Sequence, residues 1–189
     1  MKQIFLDLET TGSNYLKHGI YEIGGIIRYE NILEEFELKC DIFQEDEINL
    51  TAFNPEKTNI KPEDLKTYPD PYETYQKLIA ILTKHCDKFN KQDKFIFINF
   101  FASFDYDFLR RWFESNGDQY FGSFFWNPPL GLESLAMEYL INERHEMKNF
   151  QLTTVCRQLG IKVDENKTHS ALYDAHLAKQ LYDKIKKYG

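Results

Sequence analysis

Three separated segments of this 189-residue chain carry acids at spacings able to hold cations. In Ile4-Phe5-Leu6-Asp7-Leu8-Glu9-Thr10-Thr11-Gly12, a short apolar strand sets Asp7 and Glu9 two residues apart, hence on one face. Carboxylates that close repel, and one tends to keep a proton unless a positive charge lies between them. A divalent cation supplies that charge, because hard ions take carboxylate oxygens. A lone Asp-x-Glu is ordinarily a pair of solvated acids on an edge strand. Two further segments change that reading. Phe104-Asp105 follows an apolar run at 95–98 and stands at the mouth of a helix, and His169-Ser170-Ala171-Leu172-Tyr173-Asp174 opens the last helix. Open α/β sheets gather their sites at strand ends. Four acids converging there beside a histidine make a two-cation centre of the kind that hydrolyses phosphodiesters.

The elements that position these residues follow from periodicity. Strands are predicted over 2–8, Tyr21–Tyr29 and 32–40, the last with Phe36, Leu38 and Cys40 alternating against Glu35, Glu37 and Lys39. Together they read as an antiparallel meander. Residues 41–70 are acidic and then rich in Pro and Asn; Pro55, Pro62 and Pro69 rule out one long helix there, with a single helical turn at Lys61–Leu65. Helical spacing returns at Tyr72, Tyr75, Leu78, Ile79 and Leu82 and predicts a helix over 72–90. Phe95–Ile98 is short and continuously apolar, as a buried strand is. A helix is expected over Tyr106–Glu114, stopped by Asn116-Gly117, then a short last strand at Phe124–Trp126. Helices at 131–142, 150–159 and Ser170–Lys187 complete the chain. Strands first, then strands alternating with helices, give an α/β domain with helices on both faces of a mixed five-stranded sheet. No linker divides the chain, so one domain over 1–189 is expected.

Composition narrows the function. Hydrophobic residues are 42% and charged residues 28%, ordinary for a globular protein. Aromatic residues reach a high 16%; most of those rings are expected in the core, and a nucleic-acid site can borrow a few for stacking. A net charge of -7 argues against a general duplex-DNA binder. It is compatible with a nuclease that grips only a chain end, because bound cations invert the local field. Cys40, Cys86 and Cys156 are odd in number and far apart, which suggests neither a zinc knuckle nor a disulfide framework and fits a reducing cytoplasm. The few apolar residues before Asp7 do not read as a signal peptide, and no run approaches the length that crosses a membrane.

The three acidic segments resemble the DEDDh family of 3′-to-5′ exonucleases, the DnaQ-like and RNase T-like branch of the RNase H-like superfamily. Residues 7–12 match its first motif, Asp-x-Glu-Thr-Thr-Gly. Phe104-Asp105 with Phe108-Leu109 matches the second, and His169 with Asp174 the third. The sister group with tyrosine places it four residues before the last acid, where this chain has Ser170. One departure stands out: many members carry His-Asn shortly before the second-motif Phe-Asp, and here those places hold Phe100 and Phe101, with Asn99 the nearest amide.

The resemblance implies an RNase H-like fold and an enzyme that shortens single-stranded DNA or RNA from the 3′ end to nucleoside monophosphates. Asp7, Glu9, Asp105 and Asp174 would hold two Mg²⁺ or Mn²⁺ ions, and His169 would take the proton from the attacking water, a role suited to an ordinary pKa of about 6.5. Asp107 competes with Asp105, but about 200° separates them on a helix, and the motif favours Asp105. Leu8 and Thr10 are candidates for holding the terminal nucleotide. Phe104 either stacks on a base or packs into the core. Glu22 stays outside the catalytic set, and His18, His85, His145 and His176 read as ordinary surface or core histidines. RNase T-like relatives imply a homodimer by analogy. The alternatives are a proofreading subunit docked to a polymerase and a catalytically silent nucleic-acid-binding module on the same fold.

Overall fold

The computed structural model describes residues 1–58 and 60–187, and the side chains of all of these except Glu56 and Lys57. The expected span of 1–189 therefore includes Asn59, Tyr188 and Gly189, which lie outside the described residues. Five strands, β1 Lys2–Thr10, β2 Ile20–Tyr29, β3 Ile32–Lys39, β4 Phe95–Asn99 and β5 Leu130–Gly131, form one sheet in the order β3-β2-β1-β4-β5. The first three run antiparallel, while β4 pairs parallel with both β1 and β5. The helices are α1 Pro55–Thr58, α2 Pro71–His85, α3 Ala102–Ser115, α4 Leu132–Tyr139, α5 Leu152–Gln158 and α6 Ala171–Lys186.

Strand alternation decides what each face meets. Ile4, Leu6 and Leu8 of β1 belong to a core with Tyr75, Leu78 and Leu82 of α2 and Phe108, Leu109 and Trp112 of α3. Phe5 points the other way, into a second core with Ala136 of α4, Val155 of α5 and Ala175, Ala178 and Leu181 of α6. Period two then assigns Asp7 and Glu9 to the Phe5 side, the side on which α6 lies. Most of the aromatic surplus is core. Phe121 lies 4.8 Å from Tyr106 and 4.8 Å from Phe125, and Phe113 lies 5.2 Å from Phe121, ring-centroid spacings typical of favourable aromatic pairs.

Several boundaries differ from the sequence reading. α2 stops at His85, not at 90, and α3 begins at Ala102, which moves Asp105 from the helix mouth into its first turn. The strand expected at Phe124–Trp126 is a single parallel bridge between Phe125 and Phe95. The fifth strand lies beyond Pro129 at Leu130–Gly131, where a helix was expected to start. A two-residue strand is too short for alternation to show. The stop after α3 is as expected: Gly117 has φ 82°, a conformation that costs a glycine little.

Candidate active site

The C-terminal ends of β1 and β4, the first turn of α3 and the entry to α6 enclose a cavity of about 580 Å³. Asp7, Leu8, Glu9, Phe104, Asp105, His169 and Asp174 all line it, seven of the eight residues singled out from sequence. The eighth, Thr10, is not in the lining; its hydroxyl donates to the Gly12 carbonyl at 2.8 Å and steadies the turn after β1. Asp107 is exposed on the outer side of α3, whereas Asp105 is buried.

The acids are drawn together unequally. One oxygen each from Asp7, Glu9 and Asp174 lies within 4.8 Å of the others. Asp105 stands beside this trio and is tied in by hydrogen bonds. Its Oδ1 accepts from the Leu8 backbone N–H at 3.2 Å, and its Oδ2 accepts from Asn99 Nδ2 at 2.7 Å. The Tyr21 hydroxyl donates to Glu9 Oε2 at 3.4 Å.

Burial first, and repulsion from neighbouring acids second, push every one of these carboxyls above the usual range. Asp7 is raised well above it, chiefly by burial and then by the charges of Asp105, Asp174 and Glu9. Glu9 is pushed up to about 8, by burial first and then by Asp174 and Glu22. Asp105 rises to about 7 through burial, against the pull of its Asn99 and Leu8 donors. Asp174 rises to about 6 for the same first reason, with the His169 backbone N–H working the other way. Among the described residues lining the cavity, none is Lys or Arg.

Such a cluster fits divalent cations. It offers hard oxygen donors at short mutual distances. Asp174 Oδ1 is buried with no hydrogen-bond donor, an oxygen free to take a cation. These four acids are the residues that would hold the ions.

His169 occupies the rim. It is exposed, and its φ of 69° places a non-glycine residue in left-handed backbone just before α6. That bend turns the chain from the 164–169 loop into the helix, so that His169 and Asp174 reach the same cavity. Phe104 is 37% exposed and Phe101 52% exposed, so both rings present accessible faces in the lining. Phe104 also keeps a 4.7 Å contact with Phe108.

Sequence reasoning missed four lining residues that matter. Asn99 ends β4, and an amide closing an otherwise apolar strand is a signal that was available. Phe100 and Phe101 had been noted only as departures. Glu133, with Oε2 buried and without a hydrogen-bond partner, sits in the first turn of α4 directly after the two-residue β5, which left no pattern to read.

Residues 4–182 match the exonuclease family of RNase T. No curated protein sequence matches the chain. Among solved structures, E. coli Exonuclease I in complex with a 5cy-dT13 oligonucleotide superposes with a TM-score of 0.74 at 16% identity, covering 98% of this chain and 40% of that one. The zinc-bound form of the E. coli ExoI–ssDNA complex gives 0.75 at 15% identity, over 99% of this chain and 40% of the other. The complex with a dA16 oligonucleotide gives 0.71 at 16%, over 98% and 41%. At these identities the likeness is one of fold, and the chain spans about two fifths of the length of those proteins.

Proposed function

The chain belongs to the RNase T family of exonucleases, and we propose that it removes nucleotides one at a time from the 3′ end of single-stranded nucleic acid, as one catalytic domain over 1–189. The observation that carries the reading is the convergence of Asp7, Glu9, Asp105, Asp174 and His169 on one cavity from three separate segments of the chain. The strand-bound oligonucleotides of the structural neighbours support a single-stranded DNA substrate.

Each residue has a distinct task. Asp7, Glu9, Asp105 and Asp174 would hold two Mg²⁺ or Mn²⁺ ions, which when bound would supply a water nucleophile near neutral pH and charge relief at the leaving oxygen. His169, at the rim, accepts the proton of that water. Leu8, whose N–H is already engaged by Asp105, stands in the lining beside the terminal nucleotide. Phe104 offers a ring face for stacking, an interaction of about 1–3 kcal/mol per base that tolerates any sequence. No helix among the described residues is long and apolar enough to cross a membrane.

The test is digestion of matched DNA and RNA oligonucleotides, single- and double-stranded, labelled at the 5′ end, with Mg²⁺ or Mn²⁺. Stepwise shortening from the 3′ end is expected, stopped by EDTA and by Asp7→Ala. Undiminished shortening by the Asp7→Ala protein overturns the assignment.

A further inference from the structure

Asp105 joins the acidic trio through one side chain. Asn99, only 2% exposed, sends Nδ2 to Asp7 Oδ1 at 2.8 Å and to Asp105 Oδ2 at 2.7 Å. An ionised carboxylate only accepts, and two side by side repel, so a donor shared between them eases their approach. The amide nitrogen has two N–H groups, and both are used. Because the Leu8 N–H takes the other oxygen of Asp105, that carboxylate is held at one end by the β1 backbone and at the other by a β4 side chain.

The residue type matters. A lysine or arginine at this place would bring a full positive charge into the space that cations need. A serine has one donor and could serve only one acid. An aspartate would add a further charge to a site already crowded with them. Stability alone does not call for an amide here. Phe97, Ile98 and Phe100 around it are all buried and apolar, and Asn99 Oδ1 is buried with no hydrogen-bond partner, which is a cost to the fold.

We propose that Asn99 is a positioning residue, whose amide fixes the spacing of the Asp7 and Asp105 carboxylates before any cation or substrate binds. The inference rests on the exonuclease reading and deepens it. Its consequence is preorganisation: the acids need not be gathered against their own repulsion when ions arrive.

The experiment compares wild type with Asn99→Leu, which keeps roughly the shape, Asn99→Ala, and Asn99→Ser, which keeps one donor. Mn²⁺ affinity is read by electron paramagnetic resonance on protein without oligonucleotide, kcat and KM by digestion of a single-stranded oligomer, and folding by thermal melting. Loss of an outer hydrogen bond to a metal ligand typically costs about 10–100-fold in affinity or activity. A drop of that size in both kcat and Mn²⁺ affinity is expected for the folded Leu and Ala variants, with KM within about threefold and Ser in between. A folded Leu or Ala variant with wild-type turnover and Mn²⁺ affinity overturns the proposal. So does loss of the folded state in all three, which would make Asn99 a residue of the fold. Wild-type protein that neither shortens the oligomer nor takes up Mn²⁺ sinks the exonuclease reading itself. Active wild type with unchanged variants sinks the role of Asn99 alone.

Discussion

Glu22 Oε1 accepts a 2.8 Å hydrogen bond from the backbone N–H of Ala171, joining β2 to the first turn of α6. The first N–H groups of a helix have no partner within it, and a carboxylate there also meets the positive end of the helix dipole. Since His169 and Asp174 flank Ala171, this one contact sets where two of the site's residues stand. Glu22→Ala should lower stability by about 1–3 kcal/mol and reduce kcat beyond the loss of folded protein. Glu22→Gln keeps an acceptor oxygen and should recover most of both. Melting curves and initial rates on the two variants check this, and equal defects in both would remove the hydrogen bond as the cause.

Gly24, opposite Asp7 in the β1–β2 register, forms the rest of the seat for α6. A Cβ at Gly24 would come within 2.1 Å of the Leu172 backbone nitrogen, a group that cannot swing aside as a side-chain tip can. Gly24→Ala should push α6 away, destabilise by about 1–3 kcal/mol as overpacking does, and withdraw Asp174 from the trio. Gly122→Ala, where an added Cβ meets nothing within 4 Å, is the control and should melt and digest as wild type does.

Stability should fall as pH rises, so long as divalent cations are withheld. The folded values of Glu9, Asp105 and Asp174, about 8, 7 and 6, all lie above the ~4 of an unfolded carboxyl. Between the two values the native state binds more protons than the unfolded one, so the contribution is complete below about pH 4 and lost by about pH 8. The acids shifted the opposite way, Glu34, Asp93 and Asp183, lose their contribution below the normal carboxyl range and do not overlap this window. In EDTA, Tm should drop between pH 5 and pH 9. Mg²⁺ or Mn²⁺ at pH 8 should restore it. A flat profile in EDTA would count against the buried cluster.

Asp7→Asn should separate stability from activity. The amide removes a charge that repels Asp105, Asp174 and Glu9, and it keeps an oxygen for Asn99 to donate to. The EDTA-treated variant should melt higher than wild type at pH 8 while turnover is lost. A variant that is both inactive and less stable would show that Asp7 also has a structural duty.

His169 offers the same kind of separation through the backbone. Left-handed φ costs a non-glycine residue about 1–2 kcal/mol, so His169→Gly should hold or raise Tm. Losing a general base typically costs 10²–10⁴-fold, and a fall of about that size in kcat with KM little changed is expected for both His169→Gly and His169→Asn. Wild-type kcat in either variant would remove His169 from the chemistry.

Properties that live within a few residues were legible in the chain alone. Period two put Asp7 and Glu9 on one face of β1, helical periodicity located α2, α3 and α6, and the five-residue step from His169 to Asp174 bound those two to one helix entry. The order of the strands along the chain was enough to expect a meander followed by parallel pairing. Which neighbours these residues acquired depended on the folded chain. The Asn99 bridge to Asp7 spans 92 positions and the Glu22 bond to Ala171 spans 149, and contacts that distant leave no periodicity in the chain. The same holds for β5, two residues long, and for Glu133 behind it. It also holds for Phe104, whose composition suits core and cavity equally until packing against Phe108 leaves one face open. Local sterics and hydrophobic alternation are written residue by residue; the meeting of charges across the sheet exists only once the chain has closed on itself.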